Sequence, residues 1–231
     1  MIVSVIIPAL NEEASIGSVL ATIPRNTVSE VVVVDGGSTD ATVAIAQATG
    51  ARVIREPRPG YGRACAAGVT AARGDIVLFL DADGADDPAE IPTLLAPLQS
   101  GKTDLVLGSR LAGDVAPAAM PWHQRFGNWL AARLVRLLYG LPLTDLSPFR
   151  AIHRQSLLTL ALEDLTYGWP TEMIVKAARR GLRIVEVPVR YRPRIGGRSK
   201  ISGTLKGTVL AAYHILRTIS RYAGRRAVPH G

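Results

Sequence analysis

The sequence predicts an α/β domain with a mostly parallel central sheet and an amphipathic C-terminal helix. The clearest observation is an uninterrupted apolar run over residues 76–80, which is typical of a strand buried on both faces. This run ends in a polar turn, Asp81-Ala82-Asp83-Gly84. Two earlier segments repeat the order strand, polar turn and helix, which is the rhythm of a Rossmann-like half-domain.

The first half of the chain alternates short apolar runs with helical periodicities. Pro8 closes the first run, and we expect a helix to start near Asn11, because acidic residues that complement the helix dipole follow it. The glycines of the second turn do not fit G-x-G-x-x-G, so a dinucleotide fingerprint is absent. The predicted elements are strands over 3–7, 31–34 and 52–55, a helix with apolar residues at 16, 19, 20 and 23, and helices over 41–49 and 64–72.

The second half contains longer helices. A strand is predicted over 104–107, a helix over about 125–139, and Thr171 and Glu172 lie on a further helix. From residue 205 onward, apolar and basic residues separate onto opposite sides of a predicted helix. We expect a catalytic domain over residues 1–200, followed by a basic amphipathic helix and tail over 201–231.

The composition is that of a globular chain with a basic balance. The 231 residues are 48% hydrophobic and 20% charged, and the formal net charge is +8. This charge suggests anionic partners such as phosphorylated substrates, an acidic lipid surface or nucleic acid. A nucleic-acid-binding module is the most remote of these alternatives, because interleaved aromatics and a recognised nucleic-acid motif are both missing.

The sequence gives an expectation for the compartment. We expect no signal peptide, because the N-terminal apolar run is short and lacks a basic region, and no apolar run reaches the ~18 residues of a membrane span. A single cysteine excludes an internal disulfide and fits a reducing compartment. A cytoplasmic location is therefore predicted.

Two predicted helices bear on membrane contact. The C-terminal helix has the basic amphipathic pattern of a helix that lies on an anionic membrane. On the preceding long helix, Arg125, Trp129, Arg133 and Arg136 share one face, which suits a headgroup region, although Trp129 would equally suit the core. The alternatives are packing on the domain itself or a homo-oligomer interface. Membrane contact, if present, is expected to be peripheral and on the inner face.

Asp81 and Asp83 are the predicted metal ligands. They follow a buried strand, and ligands of open α/β sheets bind at the carboxyl ends of the strands. Carboxylate oxygens suit Mg2+ or Mn2+, which are often held by one or two carboxylates together with substrate phosphates. The alternative is an acidic turn without a ligand.

Four motifs in register give the chain a family resemblance. They are Ile7-Pro8-Ala9-Leu10-Asn11-Glu12, the run over 33–40, Gly60-Tyr61-Gly62, and Asp81-Ala82-Asp83. Together they resemble the nucleotide-sugar-binding half of an inverting family 2 glycosyltransferase with the glycosyltransferase-A fold. The resemblance implies a base and ribose pocket at the first two motifs and a metal on the donor diphosphate at Asp81 and Asp83. The implied donor-site residues are Pro8, Ala9, Leu10, Glu12, Asp35, Gly37, Gly62, Asp81, Ala82 and Asp83.

The second half is similar to the polyprenyl-phosphate branch of that family, the dolichyl-phosphate mannose or glucose synthases. The resemblance is carried by the segments 145–150, 171–172, 185–191 and 194–200. It implies transfer of a hexose from UDP-glucose or GDP-mannose to a polyprenyl phosphate. The base and the sugar of the donor stay open.

The acceptor determines which side chains the reaction needs. A phosphate oxygen is already anionic near neutral pH, so catalysis would rest on positioning and charge neutralisation. Arginine binds phosphate bidentately, and a glycine-hinged loop can close over a donor. The predicted catalytic residues are Asp83 as a metal ligand, Arg110 and Arg125 for the acceptor phosphate, Asp145 as site support, and Arg198 and Lys200 for closure over the donor diphosphate.

The nearer alternative is a soluble glycosyltransferase that acts on a hydroxyl of a small molecule or glycan. A hydroxyl acceptor would require a carboxylate base. Asp145 and Glu172 are the candidates for that base. Either of them could instead pair with a basic residue, and we expect Glu172 to be mostly structural.

Overall fold

The computed structural model describes residues 1–117, 119–196 and 205–223, and within the last range the side chains of residues 213–222. The strands in this part of the chain are β1 (Val3–Ala9), β2 (Glu30–Asp35), β3 (Arg52–Arg55), β4 (Ile76–Phe79), β5 (Leu105–Val115), β6 (Arg150–His153) and β7 (Ile184–Tyr191). The helices are α1 (Ile16–Thr22), α2 (Thr42–Ala48), α3 (Tyr61–Ala71), α4 (Ile91–Gln99), α5 (Trp122–Tyr139), α6 (Arg154–Leu160), α7 (Trp169–Arg179) and α8 (Leu205–Ala223).

The described strands form one mostly parallel sheet. Their order is β3-β2-β1-β4-β6-β5-β7. β6 runs antiparallel to both of its neighbours, and the other paired strands are parallel. The predicted α/β class with a mostly parallel sheet is confirmed.

The sheet separates two hydrophobic clusters, as the side chains of β1 illustrate. Val5 and Ile7 face the cluster formed with α1, α2 and α4, whereas Ile6 faces the cluster formed with α3 and α5 to α8. All three side chains are fully buried. Because a helical layer covers each face of the sheet, the strands appear in the sequence as continuous apolar runs.

The strand predicted over 104–107 is longer in the structure. It extends to Val115, because it pairs with β7 beyond a register shift between Ser109 and Asp114. Polar residues in this extension interrupt the hydrophobic pattern, so the pattern does not predict this part of the strand. The long helix predicted from about residue 125 begins three residues earlier, at Trp122.

The start predicted for the first helix near Asn11 is wrong, since α1 begins at Ile16. Asn11 has a left-handed backbone with φ of 50°, which asparagine tolerates better than most residues. Its Oδ1 accepts a hydrogen bond from the Thr39 backbone N–H at 2.8 Å, and its own N–H donates to Ser38 Oγ at 2.9 Å. Asn11 therefore joins the loops that follow β1 and β2.

The described part of α8 packs on its own domain. Ile219 and Tyr222 are buried. Tyr139 Oη on α5 donates to the Ile219 carbonyl at 2.7 Å, and Tyr222 Oη donates to Glu172 Oε1 on α7 at 2.7 Å. The division of the chain after residue 200 stays a prediction. Across the described helices, none combines the length and the apolar character needed to cross a membrane.

Candidate active site

Three parallel strands bring the predicted donor-site residues to one edge of the sheet. β1 and β2 are in register, so that Ala9 lies beside Asp35. The Leu80 backbone N–H donates to the Ile6 carbonyl at 3.1 Å, which places the following residue, Asp81, beside the end of β1. This edge holds the carboxyl ends of the strands, where ligands of open α/β sheets bind.

Asp81 and Asp83 follow β4 at this edge, and Ala82 between them is buried. Tyr61 Oη donates to Asp81 Oδ1 at 3.0 Å, and the Ala85 backbone N–H donates to Asp83 Oδ1 at 3.0 Å. Burial, reinforced by the charge of Asp83, raises the pKa of Asp81 to about 6. Two mutually repelling carboxylates in a partly buried site form a pair that a divalent cation would stabilise.

The residues of this pair fit Mg2+ or Mn2+. Within residues 1–117, 119–196 and 205–223 there is no cluster of three or more His, Cys, Asp and Glu that could enclose a metal. Such a cage is not needed, because Mg2+ is usually bound by one or two carboxylates plus substrate phosphates and water. Asp81 and Asp83 would hold the ion, which would supply a Lewis acid for the negative charge on a leaving diphosphate.

The residues proposed for the base and ribose pocket surround the ends of β1 and β2. Pro8 is half-buried, Ala9 is buried and Leu10 is exposed. Asp35 is buried, and its Oδ1 accepts a hydrogen bond from the Ser38 backbone N–H at 3.0 Å, which fixes the carboxylate at the rim of the sheet. These positions are compatible with the predicted pocket.

The two glycines of the predicted site have different surroundings. Gly37 is exposed in the loop after β2. Gly62 is buried in the first turn of α3, and its N–H donates to the Thr166 carbonyl at 3.1 Å. The described contacts of Gly62 are therefore with the loop that precedes α7.

Arg194 is a site residue to which the sequence patterns assigned no role. Its Nη2 donates to Glu12 Oε1 at 3.0 Å, and its Nη1 lies 3.8 Å from Asp83 Oδ2. The next residue, Ile195, donates its backbone N–H to the Asp83 carbonyl at 3.0 Å. The guanidinium thus spans the gap between a carboxylate of the predicted ribose side and one of the predicted metal ligands.

Arg110 and Asp145 form a buried ion pair beside the metal-site residues. Asp145 also accepts a hydrogen bond from the Asn128 side chain on α5. Burial by itself raises the pKa of Asp145, but the charge and hydrogen bonds of Arg110 outweigh this effect and hold the pKa below its usual range. The Arg110 guanidinium lies 5.0 Å from the Tyr191 ring centroid. Arg125, the second predicted phosphate ligand, is exposed on α5.

Asp86 is a further carboxyl near this pair, to which the sequence analysis assigned no role. It is fully buried, and its Oδ1 has no hydrogen-bond partner among the described residues. Burial raises the pKa of Asp86 well above its usual value, although the nearby charge of Arg110 opposes that shift.

Glu172 lies away from this cluster, in a hydrogen-bond network of its own. It contacts Lys176 Nζ at 2.8 Å, and it accepts bonds from Tyr222 Oη and from the backbone N–H groups of Glu163 and Asp164. Burial raises the pKa of Glu172, but these hydrogen bonds and the adjacent lysine lower it by more than burial raises it. The net shift is therefore downward. The remaining predicted catalytic residues, Arg198 and Lys200, lie outside the described residues.

Comparison with known proteins identifies the family. A model described as glycosyl transferase family 2 matches residues 4–160, more than half of the chain. The chain belongs to glycosyl transferase family 2. An uncharacterized glycosyltransferase of Mycobacterium tuberculosis is 44% identical over 218 residues, which cover 94% of this chain and 98% of that protein. The undecaprenyl-phosphate mannosyltransferase of Micrococcus luteus is 33% identical over 242 residues, which cover 98% of both proteins.

Solved structures of a glycosyltransferase share the fold of this chain. The glucosyl-3-phosphoglycerate synthase of Mycobacterium tuberculosis, in complex with Mn2+, UDP and glucosyl-3-phosphoglycerate, superposes with a TM-score of 0.79 at 29% identity. The match covers 100% of this chain and 81% of that one. A further structure of the same synthase contains Mg2+ and UDP. The predicted family and fold are thereby confirmed, and the two predicted metals are those present in these relatives.

Proposed function

We propose that this glycosyltransferase moves a hexose from UDP-glucose or GDP-mannose to a polyprenyl phosphate, with inversion at the sugar. Asp81 and Asp83 would hold Mg2+ or Mn2+ against the donor diphosphate. The observation that carries the choice of acceptor is the state of the two candidate bases, Asp145 and Glu172. Both are engaged in ion pairs and hydrogen bonds that hold their pKa below the usual range.

A carboxylate in this state is a poor general base. A base that is effective near neutral pH has a pKa close to 7 and reaches the proton that it removes. Asp145 has both oxygens bonded to Arg110, and Glu172 has both oxygens bonded to its own network. A phosphate nucleophile removes the need for a base, because its oxygen is already ionised near neutral pH.

The cations near the site suit an anionic acceptor. Arg110 binds Asp145 through Nε and Nη2, which leaves the Nη1 side of its planar group for a phosphate oxygen. Arg125 projects from α5 into solvent one turn before Asn128, the residue that contacts Asp145. Arg125, the outer cation, would attract an acceptor phosphate at the surface, and Arg110, the inner cation, would bind it within the site.

The exposed face of α5 supports contact with a membrane surface. Trp122, Phe126 and Leu137 are 79%, 56% and 78% exposed, an unusual exposure for large apolar side chains. Trp129 is also exposed, and Arg133 lies over its ring at 5.7 Å from the centroid. Aromatic and basic side chains on one amphipathic helix fit an anionic headgroup region. We propose peripheral binding through α5, at the inner face of the membrane.

The acceptor assay tests this proposal. Purified protein with Mn2+ would be incubated with radiolabelled UDP-glucose or GDP-mannose and undecaprenyl phosphate in detergent, and Asp83→Ala would serve as the inactive control. The proposal predicts a labelled lipid product that forms with one donor and disappears in the variant. Transfer to a soluble acceptor, with none to the lipid, would overturn it.

A second candidate is transfer to a hydroxyl of a small phosphorylated molecule. It is favoured by the solved relative, whose complex contains glucosyl-3-phosphoglycerate. The arginines that would suit a lipid phosphate also suit this acceptor. The same assay with 3-phosphoglycerate in place of the lipid distinguishes the two, since a soluble labelled product would favour the second candidate.

A further inference from the structure

A hydrogen bond connects α3 to the candidate metal site. Tyr61 is the first residue of α3, and its hydroxyl donates to Asp81 Oδ1 at 3.0 Å. Its ring packs against the hydrophobic cluster on this face of the sheet. Asp81 and Tyr61 are 20 residues apart, so the contact arises from the tertiary fold and not from a local turn.

The backbone around Tyr61 is held in place by the loop before α7. The N–H groups of Gly62 and Arg63 donate to the carbonyls of Thr166 and Leu165 at 3.1 and 3.0 Å. A Cβ at position 62 would lie 2.3 Å from the Asp164 carbonyl oxygen, so only glycine permits this approach. The start of α3 is thus held against this loop, which positions the phenol hydroxyl.

The bond determines how Asp81 is presented. An aspartate beside another carboxylate, here Asp83, would tend to rotate away from the shared charge. The phenol holds Oδ1 and leaves Oδ2 for a cation, as second-layer donors commonly do for metal-binding carboxylates. Asp83 is oriented independently, by the Ala85 backbone N–H.

We propose that Tyr61 is a positioning residue for the metal, which orients Asp81 and thereby determines the affinity of the site for Mn2+ or Mg2+. This inference rests on the proposed function, because it assumes that Asp81 and Asp83 bind the donor's metal. Loss of a second-layer partner typically weakens metal binding about 10- to 100-fold. The affinity for nucleotide in the absence of metal does not depend on this bond.

The experiment uses Tyr61→Phe, which removes the hydroxyl and keeps the ring. The protein would be titrated with Mn2+ in the presence of saturating UDP or GDP, whichever the wild type binds. Electron paramagnetic resonance would measure the free Mn2+. Nucleotide binding without metal would be measured by calorimetry. The matched control is Tyr139→Phe, which removes a phenol hydrogen bond from α5 to the Ile219 carbonyl on α8.

The inference predicts that Tyr61→Phe raises the Kd for Mn2+ about 10- to 100-fold and changes metal-free nucleotide binding less than twofold, while Tyr139→Phe changes neither. An unchanged Kd for Mn2+ would overturn it. So would an equal loss of metal-free nucleotide binding, which would indicate a general structural role. A wild type that binds no nucleotide with Mn2+ would overturn the proposed function and this inference together, a result distinct from failure of the variant alone.

Discussion

Arg110 and Asp145 are joined by two parallel hydrogen bonds of 2.8 Å each, from Nε to Oδ2 and from Nη2 to Oδ1. The Arg110 backbone N–H adds a third bond to the same carboxylate, at 2.9 Å. Both side chains are almost completely buried. This pair holds the middle of β5 against the loop after α5, beside the metal-site carboxylates.

The first prediction concerns the stability that this pair provides. Asp145→Ala leaves the Arg110 charge buried without its partner, and such a loss typically costs about 3–5 kcal/mol of unfolding free energy. Urea denaturation followed by circular dichroism would measure it. Asp104→Ala is the control, because Asp104 forms a similar fork with Arg183 at the surface, where the loss should be much smaller. Equal losses in the two variants would contradict the prediction.

The second prediction concerns the pH dependence of the same pair. The pKa of Asp145 is lower in the folded protein than the ~3.9 of a free aspartate, so the folded state binds the proton more weakly than the unfolded state. The stabilisation is fully present above about pH 4 and is lost as the pH falls through the folded pKa. The difference in unfolding free energy between wild type and Asp145→Asn should therefore be smaller at pH 3 than at pH 6. A difference that widens in acid would refute the assignment.

The third prediction is that Glu172→Gln retains activity while it lowers stability. The network around Glu172 joins α7 to α8 through Lys176 and Tyr222, which explains the loss of stability. A general base contributes about 10²–10⁴-fold to a rate, so a variant that keeps its rate within tenfold excludes that role. Initial rates at 15 °C with the melting temperature of each variant separate the two effects. A drop of more than a hundredfold in a folded variant would identify Glu172 as the base.

The fourth prediction concerns Arg194, whose guanidinium lies between Glu12 and Asp83. Arg194 bonds to Glu12 and lies 3.8 Å from Asp83 Oδ2, so it competes with a divalent metal for Asp83. Arg194→Ala should bind Mn2+ alone about two- to fivefold more tightly, as expected for a partly exposed ion pair. Calorimetry with Mn2+ measures this change. Arg192→Ala is the control, since its guanidinium pairs with Asp87 at 3.9 Å and with no other carboxylate among the described residues. Weaker Mn2+ binding in Arg194→Ala would contradict the competition.

Sequence patterns were most informative where chemistry follows directly from a strand. Asp81 and Asp83 stand immediately after an apolar run, so their position at the edge of the sheet could be predicted. Their binding of a metal stays a prediction. Asp35 follows β2 in the same way. Each of these signals is contained in fewer than about ten consecutive residues, the length of a strand and its turn.

Contacts that span the chain had no comparable signal. Arg194 and Glu12 are 182 positions apart, and their pairing depends on how the segment after β7 returns across the sheet. The extension of β5 to Val115 was missed because its alternation is broken by polar residues and a register shift. The bond from Tyr61 to Asp81 likewise appears only once α3 is placed on the sheet.

The proposed role of Asp81 and Asp83 is to bind a metal, which in turn binds a nucleotide diphosphate. Calorimetry with UDP and GDP, each with and without Mn2+, on wild type and Asp83→Ala tests it most directly. One nucleotide is expected to bind wild type, Mn2+ should strengthen this binding, and the variant should lose the gain. Absence of nucleotide binding under every condition, or the same gain from Mn2+ in Asp83→Ala, would contradict it.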